Sequence, residues 1–165
     1  MGTSHYAKLV YGYHLGAEES LELAEVKADP DGYLRTSWYD YATTMNDDFE
    51  KIEGTLDPLE AITNRLFDSI PDGPICEWDW QRADAVKEHL GVWLEPHCNV
   101  DYPMWILATA APTVSYGDVE AIDPAAFAEA RAAGGWDAKL AHALAVLELT
   151  PVQKAPAWLL CADRG

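Results

Sequence analysis

His97 and Cys98 stand side by side, with Asp101 three residues further on. A thiol, an imidazole and a carboxylate are the parts of a cysteine nucleophile, in which the imidazole takes the thiol proton. Their spacing argues against direct pairing. Neighbours on a regular strand point to opposite faces, so a second histidine, His14 or His89, has to approach Cys98 from elsewhere in the chain. The five histidines (His5, His14, His89, His97, His142) are scattered, with no His-x-x-x-His or Cys-x-x-Cys spacing, so no metal site is expected. No cofactor is expected either. Gly134-Gly135 is an ordinary helix stop without a following Lys-Ser/Thr, and no Gly-x-Ser-x-Gly occurs.

A second set of residues suits binding. Trp38, Tyr39 and Tyr41 lie just before Asp47 and Asp48, and Trp78 and Trp80 flank Asp79. Aromatics beside acids fit a basic, partly apolar protein surface. The bland alternative is that they pack helices onto a sheet. Another grouping, Tyr11, Tyr13, Trp93, His97 and Trp105, would line a sheet pocket for a small nucleotide-type ligand. The scarcity of bases to meet phosphates counts against it.

The charge balance narrows the partners. The formal net charge is −17. Residues 1–80 hold 17 acids and 5 bases (−12), whereas 81–165 hold 11 acids and 6 bases (−5). Such a surface repels nucleic acid and anionic membranes and steers basic partners. Cys76, Cys98 and Cys161 are an odd count without paired spacing, which reads as buried thiols in a reducing compartment. The start of the chain lacks a signal-peptide pattern. No window reaches the ~18 apolar residues of a membrane span. A cytoplasmic protein is expected.

These residues need elements to position them. The stretch 91–111 reads as a hairpin expected to organise the fold. Its first strand, 92–98, places Trp93, Glu95 and His97 on one face. Its second, 103–110, is an almost unbroken apolar run suited to burial on both faces. A strand is expected over 7–15, with Gly12 marking a bulge or close backbone approach. Leu21, Leu23 and Val26 suggest a weaker strand, and Asp29-Pro30-Asp31-Gly32 a turn. The segment 33–56 is irregular and acidic. Asp57-Pro58-Leu59-Glu60 is a helix start with a capping box. A second helix is expected over 79–90, capped by Asp79, with Ala83, Val86 and Leu90 inward and Gly91 as its stop. An extended edge follows over 113–122. Asp123-Pro124 starts a third helix, 136–149 forms a fourth, and 157–162 is a final strand inserted among the others. The expected fold is one α+β domain: a mixed, largely antiparallel sheet of about five strands with about four helices packed on it.

Two segments carry a resemblance. The opening His-Tyr-Ala-Lys-Leu-Val-Tyr-Gly-Tyr-His-Leu-Gly (5–16) and His-Cys-Asn-Val-Asp-Tyr-Pro-Met-Trp-Ile-Leu-Ala (97–108) resemble uncharacterised small acidic accessory proteins of actinobacterial phages. The resemblance implies expression inside an infected bacterium and a non-enzymatic protein that engages a host protein. Three other readings stand beside it: a small-ligand sequestering protein, a DNA mimic whose carboxylates imitate phosphates, and a cysteine/histidine-dependent enzyme.

Overall fold

In the computed structural model the first strand, β1 (His5–Ala17), is the hub of the sheet. The structure describes residues 5–44, 46, 52–76, 78–99, 101–114, 119 and 121–164. Asp47 and Asp48, and 115–118 and 120 of the expected edge, lie outside them. Along one edge β1 pairs antiparallel with β6 (Ala157–Arg164), from His5↔Arg164 to Gly12↔Ala157. Along the other it pairs antiparallel with β4 (Met104–Ala110) and with β5 (Thr113–Val114). β2 (Ser20–Leu21) folds back onto its end through Gly16, whose φ is +82°.

β3 (Trp93–Asn99) pairs antiparallel with β4, from Trp93↔Ala108 to His97↔Met104. Its last residues, Cys98 and Asn99, meet β6 in parallel. The ladder β1–β4–β3–β6 therefore returns to β1, and the sheet is curled, mixed and largely antiparallel. The hairpin expected to organise the fold is present as β3 and β4. The organiser is nevertheless β1, which pairs with four other strands. Gly12 lets this happen. A Cβ there would overlap the Leu107 carbonyl oxygen, and the β1–β4 register shifts between Tyr11 and Gly12.

The helices described are α1 (Ala24–Ala28), α2 (Pro58–Asp68), α3 (Asp79–Leu90), α4 (Pro124–Gly134) and α5 (Trp136–Leu147), completing an α+β fold. The α2 start is as expected. Asp57 Oδ1 accepts the N–H groups of Leu59 (3.0 Å) and Glu60 (2.8 Å), and Glu60 Oε2 accepts that of Asp57 (3.2 Å). At α3 the cap differs: the Trp78 N–H donates to Gln81 Oε1 (3.2 Å), and Asp79 is the first helical residue. The buried positions of α3 are Ala85 and Val86, whereas Ala83 is exposed. The expected strand through Leu23 and Val26 is replaced by α1. Backbone partners for this stretch come from beyond α5, where the Ala24 N–H donates to the Thr150 carbonyl, so only 20–21 extend the sheet.

The larger core cluster lies between the sheet and helices α2, α3 and α5 and includes Leu15, Ile62, Val86, Leu107 and Leu140. The smaller one, Val10, Ile106, Ala108 and Cys161, lies on the other face. The apolar run of β4 is thus buried on both faces. Among the described residues no helix is long and apolar enough to cross a membrane.

Candidate functional site

His97 and Cys98 lie at the end of β3, and Asp101 follows that strand. Cys98 is exposed and has φ +86°, so the strand is irregular where it carries the thiol. The ring packed against His97 is that of His14, with centroids 5.5 Å apart. Asp101 is exposed. The three cysteines are free thiols, and no group of three or more His, Cys, Asp or Glu among the described residues could hold a metal.

The aromatic set separates into two. Trp38, Tyr39 and Tyr41 are half-buried and fasten their segment to the body. The Trp38 Nε1–H donates to the Leu147 carbonyl (2.8 Å), and the Tyr39 hydroxyl to the Leu56 carbonyl (3.2 Å). Burial pushes both the Tyr39 and Tyr41 phenols above their ordinary value. Asp29, Asp31 and Asp40 converge on Arg35, at 2.6, 3.1 and 3.3 Å. Burial alone would raise the Asp29 carboxyl. The N–H groups of Tyr33 and Asp31, together with Arg35, outweigh it and hold that carboxyl below the usual range. Trp78 and Trp80, by contrast, are 61% and 64% exposed. Tyr11 is 1% exposed within the core, so the expected sheet pocket is not assembled around it.

What the structure does assemble is a groove of about 490 Å³ bounded by α2, α3, β3 and β4. Its aromatic walls are Trp80, Trp93 and Trp105, drawn from both expected groupings. Six carboxylates line it, those of Glu18, Asp57, Glu60, Asp79, Asp84 and Glu95, against the single ammonium of Lys87. On the α3 side, Trp80, Ala83, Asp84 and Lys87, whose spacing puts them on one helical face, are joined by Asp79 and Val86. Ala83, the small residue among them, faces the groove rather than the core.

The groove's charges differ in how they are held. Asp57 and Glu60 serve the α2 cap. Glu95 takes Lys8 Nζ at 2.9 Å and the Trp93 Nε1–H at 2.7 Å. Asp79 and Asp84 form no ion pair with any described residue. Lys87 Nζ lies 4.4 Å from the centre of the Trp93 ring. The Trp105 Nε1–H is buried without an acceptor among the described residues. A volume of this size with aromatic walls suits a small molecule or a few side chains of a partner.

Sequence reading found Trp80, Trp93 and Trp105 but missed Asp84, Lys87 and Glu95. The signal was present: 80, 83, 84 and 87 follow helical spacing, and Trp93 and Glu95 alternate on one strand face. Reading Ala83 as core hid the stripe. Compared with family models, curated proteins and solved structures, the chain matches none.

Proposed function

We propose that this chain is a non-enzymatic binding protein, a phage accessory protein acting in the host cytoplasm, and that it holds a basic surface of a host protein in the groove between α2, α3 and the β3–β4 hairpin. The observation that carries the reading is the groove's lining: three tryptophans and six carboxylates against one lysine. Aromatic faces and carboxylates together favour a cation with an apolar stem, which is what a Lys or Arg side chain offers. The same lining disfavours a phosphate-bearing ligand, because six carboxylates would repel it. DNA mimicry has less support. Asp29, Asp31 and Asp40 are gathered onto Arg35, and Asp57 and Glu60 serve a helix cap, rather than standing in a row.

The test is affinity purification from host cells at low salt, with the wild-type protein beside a Trp80→Ala/Asp84→Lys variant. Both positions are exposed, so the variant keeps its fold, which circular dichroism checks. The expected outcome is a basic host protein retained by the wild type and lost by the variant. Identical sets of retained proteins would overturn the reading.

A further inference from the structure

We infer that the groove reads an arginine side chain of its partner, and that Lys87 sits in that arginine's place until it is displaced. The inference rests on the binding reading above and adds what is recognised and how the site is guarded. Lys87 is exposed and lies in the last turn of α3, where the helix dipole favours a cation. The dipole does not explain its position. With six carboxylates around the groove, Lys87 pairs with none of the described ones and places Nζ 4.4 Å from the Trp93 ring centre. The ring face is therefore a working cation seat.

That seat is built in advance. The Trp93 Nε1–H donates to Glu95 Oε2 (2.7 Å), which fixes the ring and adds negative charge to its π-system. Glu95 is held in turn by Lys8 Nζ at 2.9 Å, and Lys8 also donates to the Pro96 carbonyl at 3.0 Å. Trp80, on the same helical face as Lys87, adds a second aromatic wall.

Because Lys87 already fills the seat, the chemistry of a competitor is constrained. An incoming lysine would exchange one ammonium for another and gain little at the ring. A guanidinium is planar, stacks on the indole, sheds its water more readily and carries five donors. Asp84, three residues before Lys87 on the same helical face and paired with no described cation, offers those donors an acceptor on the helix side. Lys87 thus works as a filter: it costs every ligand the same displacement, which arginine recovers and lysine does not.

The experiment titrates the full chain with an Arg-Gly repeat peptide and the matched Lys-Gly repeat, following tryptophan fluorescence and calorimetry. The variants are Lys87→Met, which keeps the stem and removes the charge, and Lys154→Met, which makes the same charge change at an exposed position outside the groove. In the wild type the Arg peptide should bind more tightly than the Lys peptide. Lys87→Met should tighten both peptides by roughly 2- to 30-fold, the range of one cation–π contact, with the gap between them kept. Lys154→Met should leave both affinities close to those of the wild type. Equal wild-type affinities, or equal effects of the two variants, would overturn the arginine filter while leaving the groove as the binding site. Failure of both peptides to bind, or binding that Trp80→Ala/Asp84→Lys does not weaken, would overturn the groove itself.

Discussion

The Tyr11 hydroxyl donates to Asp137 Oδ1 at 2.7 Å, and Arg131 grips the same carboxylate with Nε and Nη2, at 3.0 and 2.6 Å to its nearer oxygens. This latch joins β1 to both α4 and α5, and it makes stability depend on pH at both ends of the scale. Burial, reinforced by Asp137, pushes the Tyr11 phenol from 10.0 to about 12. The fold thus keeps a proton that the unfolded chain has lost above pH 10. The contribution is complete below the unfolded value and disappears as pH rises through about 12. Its size is on the order of 2 kcal/mol. The hydrogen bonds from Arg131 and then Tyr11 hold the Asp137 carboxyl below its ordinary value. That contribution is present above the ordinary value and is lost as pH falls through the lowered one. Tyr11→Phe should cost roughly 1.5–3 kcal/mol near neutrality, the worth of a hydrogen bond to a charged group. It should also flatten the loss of stability above pH 10. Denaturant melts of both proteins at pH 8 and pH 11 read both effects, and parallel losses in the two proteins would remove Tyr11 as the alkaline trigger.

At the scale of elements, β1 decides whether the sheet forms, and Gly12 is where it is most vulnerable. An alanine there drives Cβ into the Leu107 carbonyl of β4, a backbone atom that cannot move aside. Gly12→Ala should therefore cost roughly 3 kcal/mol or more, lowering Tm by roughly 6–12 °C. Gly32→Ala is the matched comparison. Its φ is +75° but nothing lies within 4 Å of the added Cβ, so only the left-handed backbone is penalised, at about 1–2 kcal/mol. Similar melting temperatures for the two variants would show that β1 and β4 can slide apart at little cost. These positions also mark where sequence reading worked and where it stopped. Gly12 as a close approach, the Asp57–Glu60 cap, the Gly91 stop and the two-faced burial of β4 were legible, because each is set by residues within a few positions. The rank of β1 was not, because its partners lie in β4, β5 and β6, roughly ninety or more residues away. The groove was half legible. Its tryptophans stood out by type, but the face on which α3 carries Trp80, Asp84 and Lys87 depends on which side of the helix the core claims. Beside Val86 that place fell to Ala85 and not to Ala83, through packing no local pattern records.

For the whole molecule the −17 charge sets two opposed demands. Some of it is neutralised locally: Arg35 gathers three aspartates, Arg131 holds Asp137, and Lys8 holds Glu95. The remainder repels itself across a fold whose larger core cluster draws residues from Tyr11 to Trp158. Compactness is therefore opposed by self-repulsion, while the same field draws a cation toward the groove. Salt weakens both, with a screening length of about 10 Å at 0.1 M that shortens further as salt is added. Raising sodium chloride from low to moderate concentration should increase Tm, because repulsion within the fold is relieved. It should weaken the Arg-Gly peptide by on the order of tenfold, mainly through a slower association rate. Opposite signs of the two slopes are what an acidic field acting on both the fold and the partner predicts. Thermal melts and stopped-flow association across one salt series measure both. An affinity that holds or rises with salt would mean that apolar burial against Trp80, Trp93 and Trp105 drives binding and that the carboxylates of the groove contribute solubility alone.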